Sequence, residues 1–250
     1  MKSTTCKLKR TSAIGVVALM VTLFAWVSVD AQPRPTDGSS VQMGDQRITI
    51  PAPQNFEEAS SQFKIIKDTF TATEAQGNNM IAVHLPKSEC DKLRSGTATE
   101  MNFYTKISVR EAVRTLDLSP EQFATLIEQF RGSSSQILDF NSPAMKATLA
   151  RMNRNLSDLR QEETKVDLSQ PVNLGEFDTR PNIYSIMLLV RLKANPNDDV
   201  GKLIAGSLSY VRVKQRLIYV YAYRLYKSTN DVEILKDFTK QWVGQILAAN

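Results

Sequence analysis

Apolar and polar positions alternate along the last third of the chain and recur at three- and four-residue spacing in its middle. These two periods belong to strands and amphipathic helices respectively. Val172 to Phe177, Ile183 to Lys193, Leu203 to Val213 and Arg216 to Tyr226 read as four strands. Asp178–Asn182 and Asn195–Asp199 are turn sequences between them, and Lys214-Gln215 is a tight link without the Asn-Gly or Gly that a two-residue hairpin favours. Shorter strands are predicted at Arg47–Pro51, Met80–Leu85 and Asn102–Val109. In the middle, Ser119-Pro120-Glu121-Gln122 combines an N-cap hydroxyl, a first-turn proline and a residue that closes a capping box. Phe123, Leu126, Ile127 and Phe130 give that helix one apolar face, and Gly132 stands where a C-cap belongs. Ser142-Pro143 repeats the start signal, followed by Met145, Leu149, Met152, Leu156 and Leu159. Phe63, Ile66 and Phe70 predict a helix within Phe56–Phe70, and Leu235, Phe238, Trp242 and Ile246 predict a closing one after Thr229. Lys87–Thr99 and the Ser-rich stretch Gly132–Gln136 read as loops.

The order is strand, helix, strand, strand, two helices, four-strand meander, helix. Short links between successive strands imply antiparallel pairing. The fold class is therefore α+β: an antiparallel meander with helices packed on it as a sandwich. One domain is expected over residues 47–250, with a helical insert at about 119–163.

The N-terminus follows a different logic. Lys2, Lys7, Lys9 and Arg10 precede a 17-residue run, Ala13–Val29, interrupted only by Gly15, Thr22 and Ser28. Residues 1–31 read as a secretory signal peptide, cleaved between Ala31 and Gln32, and 32–46 as a flexible leader rich in Pro, Gly and Ser. An uncleaved membrane anchor is the alternative, at the short limit of a spanning helix. Cleavage changes the charge picture. The whole chain carries +5, but residues 32–250 hold 27 basic and 25 acidic side chains, a net of +2. Nucleic acid is therefore not an expected partner, and a membrane is expected only through a retained signal. Cys90 would be the one cysteine left, so no internal disulfide is expected and packing alone must hold the domain.

The strand Arg216-Leu-Ile-Tyr-Val-Tyr-Ala-Tyr-Arg224, the polar turn Ser228–Asp231 and a closing helix with Phe238 and Trp242 resemble the PsbP/Mog1-like fold. Ile48–Pro51 ahead of Phe56 is similar to its first strand, so the likeness covers mainly residues 47–56 and 172–250. What the resemblance implies is a sheet sandwiched between helices, and binding or accessory roles rather than catalysis.

Candidate chemistry is sparse. His84 is the single histidine, and its strand alternation puts it on one face with Met80 and Ala82. No G-x-S-x-G, P-loop or G-x-G-x-x-G accompanies it. One histidine and one remaining cysteine exclude multi-histidine and cysteine-based metal sites, and no cofactor is expected. Asn195, Asn197 and Asp199 alternate as calcium ligands do, but Gly206 stands where an EF-hand needs its glutamate. The acid pairs Glu57-Glu58, Glu162-Glu163 and Asp198-Asp199 read as solvated, as do Arg151, Arg154 and Arg160. Cys90 reads as an incidental, half-buried thiol beside Lys87, Lys92 and Arg94. The most distinctive feature is Tyr219, Tyr221 and Tyr223 at period two, with Tyr210 on the strand before and Arg216 and Arg224 on the opposite face. Two readings follow: an aromatic platform with basic rims for a sugar or peptide, or a sheet face covered by the Trp242 helix. The unbroken stripe Leu217–Leu225 favours coverage.

The sequence thus points to an exported, non-catalytic binding or accessory protein of the cell envelope, periplasmic or secreted, with a protein, peptide or glycan partner. A periplasmic hydrolase using a carboxylate pair and a tethered structural protein are the alternatives.

Overall fold

The computed structural model describes residues 38–97, 100–193 and 200–250. The expected signal, its Ala31–Gln32 junction and the Asn195–Asp199 turn lie outside these residues. Strand β1 (Gly38–Met43) pairs with β2 (Gln46–Pro51) as a separate hairpin. From Gly38 onward the expected leader is therefore ordered strand, and Ile48 and Ile50 bury its inner face. Then come β3 (Phe56–Glu58), α1 (Lys64–Ala72), β4 (Asn78–Pro86), α2 (Lys87–Arg94) and β5 (Phe103–Arg110). A single 3-10 turn, Glu111–Val113, leads to α3 (Pro120–Ile137) and α4 (Pro143–Arg160). The chain closes with β6 (Asp167–Leu168), β7 (Val172–Asp178), β8 (Ile183–Lys193), β9 (Lys202–Val213), β10 (Arg216–Leu225) and α5 (Thr229–Ala248).

The main sheet runs β3-β4-β5-β10-β9-β8-β6, with β7 also on β8, and every pairing is antiparallel. Both faces are covered, so the α+β sandwich stands. On one face Ile107, Val211, Ile218 and Val220 pack with Trp242, Val243 and Ile246 of α5 and with Ile48 and Ile50 of the hairpin. On the other, α1, α3 and α4 bury Phe70, Phe123, Phe130 and Met152 against Tyr210, Tyr219 and Tyr221. The helical insert is thus the second cover of the sheet.

The α3 and α4 starts form as their sequences dictate. Ser119 Oγ accepts the Gln122 amide at 3.2 Å while Gln122 Oε1 accepts the Ser119 amide at 2.8 Å. Ser142 Oγ accepts the Met145 amide at 3.3 Å. Three local expectations fail. Lys87–Arg94 is a helix rather than a loop, because Cys90 and Leu93 turn inward and anchor it. Gly132 does not end α3. The helix runs on through the serines to Ile137, with Ser134 Oγ bonding back to Arg131 O at 3.0 Å, and buried Leu138 and Phe140 hold the following turn. The segment before α1 is strand β3, and the helix starts only at Lys64.

Candidate functional site

The tyrosine strand lies at the middle of the sheet, and β5 is its neighbour. The register sets Tyr219 beside Ser108, Tyr221 beside Lys106 and Tyr223 beside Tyr104. All three stripe tyrosines are buried; Tyr221 is 1% exposed. Their cover is the α1/α3/α4 layer, whereas the Trp242 helix sits on the opposite face of β10 with Ile218 and Val220. The covering helix differs from the expected one because the odd positions of β10 and the core face of α5 lie on opposite sides of the sheet. Desolvation raises the Tyr219, Tyr221 and Tyr223 hydroxyl pKa values, so these groups stay neutral.

The two flanking arginines are clamps. Arg216, 2% exposed, donates to Met43 O at 2.9 Å and Asp45 Oδ1 at 2.5 Å, and it also pairs with Asp117. It joins the β1–β2 turn and the loop before α3 to the sheet. Arg224 donates to Asp231 Oδ1 at 2.7 Å and lies 5.3 Å from the Phe103 ring centre. Asp231 also accepts the Lys227 and Ser228 amides, each at 3.0 Å. The Arg224 hydrogen bond, followed by these amides, holds its carboxyl at about 2. Neither arginine frames an open aromatic surface.

Beneath α1 the stripe meets an ion pair that the sequence does not announce. Lys106 Nζ lies 2.7 Å from Glu74 Oε2 and 5.0 Å from the Tyr221 ring centre. Ser108 Oγ donates to the same carboxylate oxygen at 3.1 Å. Lys106 is 1% and Glu74 5% exposed. Burial pulls the lysine pKa down and the adjacent carboxylate opposes that pull. The second carboxylate oxygen, Glu74 Oε1, has no hydrogen-bond partner among the described residues.

Glu74 also lines a surface groove of about 510 Å³, between the C-terminal end of α1, the start of β4 and α4. Lys67, Thr71, Gln76, Asn78, Arg114 and Arg151 contribute to its walls. Gly77, at φ 80°, makes the turn into β4 that a side chain would strain. Arg151, expected to be solvated, is half-buried and donates to Glu74 O at 2.8 Å, meeting the carbonyl end of α1. Asn155 does the same for Ala72 O at 3.0 Å.

The remaining candidates are internal. His84 is fully buried: its Nδ1 lies 3.1 Å from Thr105 Oγ1 and its ring stands edge-on to Trp242 at 5.3 Å. Desolvation lowers its pKa to about 4, with Glu58 opposing. A bulge between Met80 and Ala82 moves Met80 to the α1/α3/α4 face, away from His84 on the α5 face, against the simple alternation. Glu57 and Glu58, expected to be solvated, are buried. Glu57 pairs with Arg94, and the Glu58 carboxylate accepts the Ser60 and Ser61 amides at 2.9 and 3.0 Å. Glu162 and Glu163 are exposed. Cys90 is buried, not half-buried, and burial, aided by Glu57, pushes its thiol up to about 12. That thiol is a packing group at neutral pH. No group of three or more metal-ligating side chains converges among the described residues.

No protein-family model matches the chain, and no curated protein matches it. Among solved structures, a mutant of the protein Mog1 is similar at a TM-score of 0.31 and 12% identity, covering 85% of this chain and 92% of that one.

Proposed function

We propose that this is an exported, non-catalytic binding or accessory protein of the cell envelope. The observation that carries the reading is the commitment of its buried carboxylates. Glu57 is taken by Arg94, Glu58 by Ser60 and Ser61, Glu74 by Lys106 and Ser108, Asp178 by Arg180, and Asp231 by Arg224. A glycosidase-type acid pair needs two carboxyls facing one substrate space, and these five are engaged in internal pairs instead. His84 sits under α5, away from the groove residues. What supports a binding role is the polar groove on the α1/α4 side. What supports export is the basic, apolar and small-residue order of residues 1–31.

The test is to fractionate cells that produce the full chain and to sequence its N-terminus by mass spectrometry. The reading expects an envelope or secreted protein beginning at Gln32, which crosslinks in place to a discrete partner. A protein that stays in the cytoplasm beginning at Met1 contradicts the export half. Turnover of a glycan or peptide substrate that is lost in Glu57→Gln or Glu74→Gln variants, folded as wild type, contradicts the non-catalytic half.

A further inference from the structure

The groove has a charge character that points to the chemistry of its occupant. Lys67 is exposed on its wall and Arg151 half-buried, and neither has a carboxylate partner among the described residues. Arg114 is partly satisfied, donating to Gln42 O at 2.8 Å and lying 3.6 Å from Glu111. Glu111 is also bonded by Asn79. The one carboxylate on the wall, Glu74, is countered from beneath by Lys106. Cationic side chains therefore dominate the field at the mouth.

The occupant must then bring more than one anionic group, for Lys67 on α1 and Arg151 on α4. An extended acidic peptide does so with side-chain carboxylates spaced along its length. The lining residues include no aromatic ring. That argues against a glycan, which stacks on such rings, and against a nucleic acid for the same reason.

We infer that this groove is a docking site for a carboxylate-rich peptide segment of a partner protein. The inference rests on the binding role proposed above and adds its location and chemistry. The test uses the protein purified from the cell and a fluorescein-labelled hexaglutamate peptide, followed by fluorescence anisotropy. Binding is expected with hexaglutamate and not with hexaglutamine, weakening as salt is raised. Lys67→Glu, at an exposed position, should weaken it about tenfold or more. Lys240→Glu, on α5 across the sheet, should change it by less than about twofold. Equal losses in both variants would show diffuse charge attraction and overturn the site. Tighter binding of polygalacturonate than of hexaglutamate, lost in Lys67→Glu, would assign the groove to an acidic glycan and overturn the peptide. If hexaglutamate does not bind while the protein still crosslinks to its envelope partner, this inference falls and the binding role stands.

Discussion

Lys106 Nζ and Glu74 Oε2 are 2.7 Å apart in the interior, although the two residues lie on β5 and just after α1. Neither charge would be tolerated there alone. The pair joins the helical cover to the middle of the sheet, and its carboxylate member lines the groove.

Replacing one partner of this pair should therefore cost far more than replacing both. Lys106→Met leaves a buried carboxylate without its counter-ion and should cost about 3–5 kcal/mol. Lys106→Met combined with Glu74→Leu should recover most of that loss. Urea unfolding of both variants checks this. An unchanged midpoint in the single variant would show that Glu74 is solvated.

Buried His84 gives stability a pH dependence. Its pKa falls from 6.5 to about 4 on folding, so the unfolded chain binds the proton more readily. Its contribution is complete above pH 6.5 and is lost as pH falls toward 4, amounting to about 3 kcal/mol at ~1.4 kcal/mol per unit. Unfolding free energies between pH 7 and 4 should fall more steeply in wild type than in His84→Gln. Parallel slopes would contradict the burial of the imidazole.

The link between β9 and β10 holds two non-glycine residues in the left-handed region, Lys214 at φ 44° and Gln215 at φ 66°. The hairpin accepts this strain because Leu118 N donates to Gln215 O at 2.8 Å and Lys214 Nζ to Arg47 O at 3.1 Å. Gln215→Gly keeps the backbone bond and relieves one strained position. A gain of about 1 kcal/mol is expected from thermal unfolding, and a loss would show that the turn is unstrained.

Trp242 fills the opposite core, with its indole N–H on Pro51 O at 2.9 Å. Trp242→Ala should cost about 3–5 kcal/mol. Unchanged thermal unfolding would reject the packing of α5 on the sheet.

Much of this fold is legible along the chain because its signals are local. Ser119, Pro120 and Gln122 mark a helix start within four residues, and the β10 alternation shows within ten. The burial favoured for the tyrosine stripe follows from its unbroken length, but which helices cover it depends on long-range packing. Helix α2 is missed because only Cys90 and Leu93 of its eight residues are buried, too few for a visible period. Glu57 and Glu58 read as ordinary acids, and Glu74 carries no sequence signal, because their partners, Arg94, Ser60, Ser61 and Lys106, are chosen by folding. The groove is invisible for the same reason: Lys67, Asn78 and Arg151 are brought together from three separate elements.

The account turns on a division between an internal tyrosine stripe and an external groove, and one paired measurement tests it. Thermal unfolding and hexaglutamate binding are compared for Tyr221→Ala and Lys67→Glu. The account predicts that Tyr221→Ala lowers Tm by on the order of 10 °C, while Lys67→Glu keeps the wild-type Tm and loses the peptide. A Tyr221→Ala protein as stable as wild type that no longer captures its partner would contradict it, and would make the tyrosines the binding surface.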